Sequence, residues 1–251
     1  VLRRPAPTGG VLIKAKGSDI KLPQDLKGKN VGVHSPLMVN SFLFNTLLVR
    51  YNLDPAKDLN IRIINMNELI PALERGEIDA FINPEPLATL SEMKGAGEVM
   101  LLSKNLWFKH PCCLVAMKKD FFESETNLAK AIYASTMESG LALNNAQTRS
   151  QAIEKVHAES EAYKKVPLEG LKRAFIQGRS DFDPFVYASS GKAVLIMMRN
   201  FNMLPASVDI DAMVADACLS DLSREILTAV GGDPPAENSR TEKIVSEIVA
   251  S

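Results

Sequence analysis

Asp25-Leu-Lys-Gly-Lys-Asn-Val-Gly-Val33, running on into His34-Ser-Pro36, is the stretch on which the fold reading turns. Residues 30–34 form a short apolar run, the pattern of a buried strand. After Ser35-Pro36 the residues Phe42, Leu43, Thr46, Leu47 and Arg50 recur at helical spacing up to about Tyr51. Strand followed at once by helix is a βα unit. Working outward, residues 11–16 read as a preceding strand that ends in a Gly17-Ser-Asp turn, and Asp54-Pro55 stops the helix. Residues 59–65 supply the next strand. Asn67 is the expected N-cap of a second helix, Pro71 is tolerated in its first turn, and Gly76 is placed to end it. Residues 78–82 then give a third strand. The alternation predicts an α/β unit built on a parallel sheet.

Downstream the pattern changes. Residues 105–120 hold Trp107, a turn at His110-Pro111 and a predicted strand over 112–117. From Phe121 onward the periodicity is helical, with expected helices over 123–144, 149–156, 168–177, 189–201 and 210–229. Residues 231–238, rich in Gly and Pro, read as a loop with a last short helix behind it.

Composition bounds the function. The 251 residues suffice for one large or two small domains, and 46% hydrophobic with 24% charged residues is ordinary for a globular chain. A net charge of −1 argues against a polyanionic partner, so no nucleic acid is expected. No apolar run approaches the roughly 18 residues of a membrane span. Three cysteines, two of them adjacent (Cys112 and Cys113), exclude a disulfide framework. A single bridge from either to Cys218 stays open beside the expectation of buried thiols. Glycine-rich phosphate loops, G-x-S-x-G and HExxH are absent, so neither cofactor nor metal is expected.

The ordered set of Asp25 to Val33 before a Ser/Pro-led helix, Leu73-Glu-Arg-Gly-Glu-Ile-Asp-Ala80 leading into Asn83-Pro-Glu-Pro86, and His110-Pro111 before Lys118-Lys-Asp-Phe121 resembles the substrate-binding proteins of the nitrate, bicarbonate, sulfonate, taurine and pyrimidine-precursor importers. Asp183-Pro-Phe-Val-Tyr-Ala-Ser-Ser-Gly-Lys-Ala193, with Asn202-Met-Leu-Pro205, resembles the C-terminal region of the nitrate/bicarbonate branch, although aliphatic residues replace an aromatic often carried in its helix. The resemblance implies an α/β fold like that of type II periplasmic binding proteins, two lobes with crossing hinge strands and a ligand cleft closed by hinge motion. Residues 14–106 would be lobe 2, and residues 1–13 with 107–251 what is present of lobe 1, whose opening part is expected to be missing. It further implies a non-catalytic role: capture of a small anion or small polar organic solute for ABC permease subunits, in the periplasm or anchored outside the cytoplasm. A cytoplasmic sensor on the same scaffold is the alternative, and a pyrimidine-precursor enzyme a third reading.

Candidate ligand residues follow, each with a structural alternative. His34, Ser35, Pro36, Asn40 and Ser41 surround a helix N-terminus at the carboxyl end of a strand, where backbone N–H groups and the helix dipole suit an anion. Simple capping by Ser35 is the alternative. Asn83 and Glu85 end the third strand and by the same rule face the cleft, and Glu85 would otherwise be satisfied by local backbone. Trp107 can wall the pocket and His110 can donate to an oxyanion, against a core indole and a surface imidazole. Lys192 is the cation for charge pairing, unless it is simply exposed on its helix. Adjacent side chains on a strand point to opposite faces, which counts against a metal or thiol site at Cys112 and Cys113.

Overall fold

The structure, a computed structural model, describes residues 6–7, 9–113, 115–176, 178–185 and 187–244. The first half of the chain carries β1 (Ala6–Pro7), β2 (Gly10–Ala15), β3 (Asn30–Val33), α1 (Val39–Arg50), β4 (Asn60–Ile63), α2 (Leu69–Glu74), β5 (Ala80–Pro84), α3 (Leu87–Met93), β6 (Gly97–Leu102) and α4 (Ser103–Leu106). The second half carries α5 (Lys119–Ser124), α6 (Thr126–Asn144), α7 (Arg149–Glu159), α8 (Leu168–Ala174), β7 (Phe182–Asp183), α9 (Ala188–Asn200), α10 (Ile210–Ala217) and α11 (Ser220–Ala229). The chain divides into two compact units. Unit 1 comprises residues 1–8, 109–160 and 181–242, and unit 2 comprises 9–108, 161–180 and 243–251.

Unit 2 is built on a five-stranded sheet in the order β4-β3-β5-β2-β6. β3 runs parallel to β4 and β5, while β2 lies antiparallel to both β5 and β6. The parallel sheet expected from the sequence is therefore a mixed one, because hydrophobic periodicity identifies strands without giving their direction. β6 and α3 join the elements read from the sequence.

Val11, Ile13 and Phe81 alternate along β2 and β5 and pack against Leu69, Ile70, Leu73 and Ala88 of α2 and α3. α1 follows β3 and buries Phe42, Leu43, Phe44, Leu47 and Leu48. α2 ends as the sequence suggests. Gly76, at φ 71°, donates to the Leu73 carbonyl while Glu77 donates to that of Ala72, the paired bonds of a Schellman ending. Its start is set by Asn65 rather than Asn67. The Asn65 side chain accepts from the Asn67 N–H and opens a 3-10 turn over Met66–Glu68 that leads into α2.

Unit 1 is mainly helical. Its one pairing among the described residues is the ribbon of β1 and β7, antiparallel with Ala6 opposite Asp183. Ala129, Tyr133 and Met137 of α6, Phe185, and Ile226 and Leu227 of α11 form its core, and the Tyr133 hydroxyl lies 3.2 Å from that of Ser223. The strand expected over 112–117 is absent from the described residues there, since strand-forming side chains make no ladder without a neighbouring strand. The helix expected over 123–144 breaks at Glu125 into α5 and α6, and that over 210–229 breaks at Cys218 and Leu219 into α10 and α11. Residues 239–244 carry no helix, and the rest of the expected last helix lies outside the described residues. The three thiols form no disulfide and are not buried in the core. Cys113 is exposed, and Cys112 and Cys218 are half-buried.

Candidate ligand site at the sheet crest of unit 2

β3 passes its chain to α1 and β5 passes its chain to α3, and the two helices cover opposite faces of the sheet. α3 shares the face of Val11, Ile13 and Phe81. Gly10 alternates with Val11 and so faces the other way, and there it meets Asn40 of α1: a Cβ on Gly10 would stand 2.2 Å from Asn40 Oδ1. Chain segments leaving adjacent parallel strands toward opposite faces open a crevice beyond the carboxyl ends of those strands. Val33 pairs with Ile82 in register, so His34 to Met38 and Asn83 to Pro84 border that crevice.

The 12-residue α1 begins at Val39, later than the Ser35-Pro36 start read from the sequence. Met38 occupies its N-cap position and makes no side-chain capping bond, which leaves the first-turn N–H groups without that partner at the positive end of the helix dipole. Ser35 caps nothing. Its hydroxyl accepts from the Leu37 N–H at 3.2 Å, and its carbonyl accepts from the Ser41 hydroxyl at 2.7 Å. Ser35, Pro36 and Ser41 thus shape the turn.

Two amides stand out. Asn40 and Asn83 are each 1% exposed, and neither the oxygen nor the nitrogen of either side chain meets a hydrogen-bond partner. His34 Nδ1 is buried and without a partner as well. Buried polar groups are nearly always bonded, and each exception calls for an explanation. By alternation Asn83 lies on the face of Phe81 and Asn40 on the opposite one, so the two amides flank the crest. Next to them, Ser103 is buried and its hydroxyl accepts from the Gly10 N–H at 3.0 Å. Lys104 follows it, half-buried, with its ammonium donating to the Gly178 carbonyl. Sequence reading missed both residues, because nothing in the pattern around 103–106 ties that helix to Gly10.

Glu85 is not free to meet a ligand. One carboxylate oxygen accepts from the Thr89 N–H at 3.0 Å, and the other meets Arg179 Nε at 2.5 Å, with the Glu85 side chain 1% exposed. Arg179 also binds Glu92 at 2.7 Å, and Arg173 joins at 3.3 Å. This network ties the end of β5 to the segment after α8. Trp107 is a core residue of unit 2, 1% exposed and bridged to Ile244.

The remaining two candidates belong to unit 1. His110 is wholly buried rather than on the surface, and desolvation pushes its pKa down to about 4 despite a raising hydrogen bond with Pro111, so the imidazole is neutral at neutral pH. Lys192 is half-exposed and paired with Asp211 at 2.6 Å.

A mixed five-stranded sheet crossed by helices on both faces, with its polar crest at the carboxyl ends of β3 and β5, is the fold of periplasmic binding proteins. The solved periplasmic nitrate-binding protein NrtA of Synechocystis superposes with a TM-score of 0.83 at 20% identity, over 98% of this chain and 72% of that one. The profile of the NMT1-like family matches residues 10–157, and the chain belongs to that family. The aliphatic sulphonate binding protein SsuA of Escherichia coli superposes with a TM-score of 0.64 at 20% identity, over 83% of this chain and 66% of its own. The desulfurization enzyme DSZB shares the fold at a TM-score of 0.60 and 12% identity, over 91% of this chain and 78% of its own. Among curated proteins, the nitrate/nitrite binding protein NrtA of Synechocystis is 23% identical over 88% of this chain and 56% of its own length. The bicarbonate transport ATP-binding protein CmpC of the same organism is 23% identical over 47% of this chain and 18% of its own. The chain therefore spans about half the length of these two curated relatives, or less. Among the described residues no helix is long and apolar enough to cross a membrane.

Proposed function

We propose that this chain is the solute-binding component of an ABC importer, capturing a small anion or small polar organic solute at the crest of unit 2 and delivering it to permease subunits outside the cytoplasm. The observation that carries the reading is the pair of buried, unpartnered amides, Asn40 and Asn83, beside a helix N-terminus without a side-chain cap. An amide offers two donors and an acceptor, which suits an oxyanion or a polar solute with a donor of its own. The names of the relatives point the same way: nitrate and nitrite, bicarbonate, and aliphatic sulphonate. His34 completes the donor set, while Ser35, Pro36 and Ser41 hold the turn. The ligand lobe, expected over residues 14–106, is in this reading unit 2, whose sheet also takes in β2 from Gly10, and unit 1 holds what is present of lobe 1. Trp107, His110 and Lys192 support the two lobes rather than the ligand.

We read the role as binding without turnover. The binding-protein relatives support this, and assays for consumption of each candidate ligand are the control, since DSZB is an enzyme on the same fold. The test is calorimetric titration with nitrate, nitrite, bicarbonate and alkanesulfonates, on the native chain and on Asn40→Ala and Asn83→Ala. Binding of one of these ligands by the native chain, weakened at least tenfold in both variants, is expected. Equal affinity in the variants would move the site away from the crest. Relieving an unmet buried amide should also raise the stability of Asn83→Ala by about 1 kcal/mol in urea unfolding, whereas an amide serving only the fold would lower it.

A further inference from the structure

Asn83 ends β5 with both polar atoms of its amide bare: Oδ1 and Nδ2 are buried, and neither meets a hydrogen-bond partner. Its backbone pairs with Val11, so the residue is held within the sheet where β5 meets the crevice. An acceptor and a donor thus stand side by side on one planar group, and the occupant that meets both carries the opposite pair in its own plane. An acceptor-only anion such as nitrate or a sulfonate takes the Nδ2 hydrogens and leaves Oδ1 unpaired. A buried acceptor without a donor keeps its whole desolvation cost. Asn40 repeats the pattern, with Oδ1 and Nδ2 equally unpartnered. Charge does not reverse the balance. The crest offers amides, hydroxyls and the first-turn N–H groups of α1, while Lys104 gives its ammonium to the Gly178 carbonyl. Those N–H groups are met by a neutral carbonyl oxygen as well as by an anion.

We infer, on the basis of the solute-binding reading, that the crest takes a small solute of the carbamoyl class, a carbonyl bearing an NH2 group as in urea and primary carboxamides, ahead of acceptor-only oxyanions. The carbonyl oxygen of such a group accepts from Asn83 Nδ2 while its own N–H donates to Asn83 Oδ1, so one ligand group meets both atoms of one amide. Bicarbonate, whose hydroxyl brings a single donor, ranks between the two classes.

The experiment is calorimetric titration of the full chain with two matched pairs: urea against nitrate, both planar and three-armed, and acetamide against acetate. Urea stays in the millimolar range, far below the concentrations that unfold proteins. The native chain is expected to bind urea and acetamide at least about tenfold tighter than nitrate and acetate, the acceptor-only member of each pair leaving a buried acceptor unmet. In Asn83→Ala, whose fold is checked by circular dichroism, that preference should shrink to about threefold or less, because the acceptor that imposes it is gone. Where the variant binds none of the four, the native ratio alone decides. Nitrate or acetate bound by the native chain as tightly as its partner, and weakened by Asn83→Ala, would overturn the inference and leave the solute-binding reading standing; so would a preference that Asn83→Ala leaves intact. Heat from none of the four, nor from bicarbonate or alkanesulfonates, would remove the reading and the inference together.

Discussion

His110 carries the clearest single-residue consequence. Its neutral imidazole is buried and its pKa lies at about 4, below the 6.5 it takes when exposed. As the pH falls, the unfolded chain therefore binds a proton before the folded one does. The contribution of His110 is fully present above about pH 6.5 and is lost between there and pH 4, on the order of 3 kcal/mol in all. Urea unfolding across that window should show the decline, and His110→Gln should flatten it. Arg179 is the second case. Replacing it with Met leaves the Glu85 carboxylate buried against the Thr89 N–H alone and should cost about 3–5 kcal/mol in the same measurement, with Glu85→Gln added to Arg179→Met recovering part of the loss. Glu85 was legible as a strand-end carboxylate, but its partner stands 94 residues away and no local pattern announces it. His110 was misread because imidazole is found inside and outside proteins alike, and one sequence gives no sign of which applies.

At the scale of elements, β3 with α1 and the Gly76 ending of α2 were readable because each depends on residues a few positions apart. The direction of β2 was not, since an antiparallel strand inserted between β5 and β6 has the same apolar alternation as a parallel one. The run after Pro111 failed for a related reason: strand propensity there has no neighbouring strand to act on. Gly10 shows how a long-range contact fixes a residue type. A methyl at that position would press into Asn40 Oδ1 and approach Ser103 Cβ at 3.0 Å. Gly10→Ala should cost about 1–3 kcal/mol by chemical denaturation and should displace Asn40, so solute binding should weaken along with stability.

For the whole molecule, family membership rests on a match that spans residues 10–157 and on the shared sheet of unit 2. The proposed solute site rests on far less surface. The turn at 34–41, Asn40 included, was legible as a helix N-terminus after a strand, and Asn83 lay within a motif that carried the resemblance. That Ser35 and Ser41 bond each other's turn, that Glu85 is bound by Arg179, and that Lys192 pairs with Asp211 became visible only in three dimensions. The crest consequently reads as an amide-lined site more than a cation-lined one. The most direct measurement is calorimetric titration of the native chain with nitrate, nitrite, bicarbonate and alkanesulfonates beside the Asn40→Ala and Asn83→Ala variants. The account predicts saturable one-to-one binding of at least one of these solutes that both variants weaken at least tenfold; heat from none of them, or undiminished binding in both variants, would contradict it.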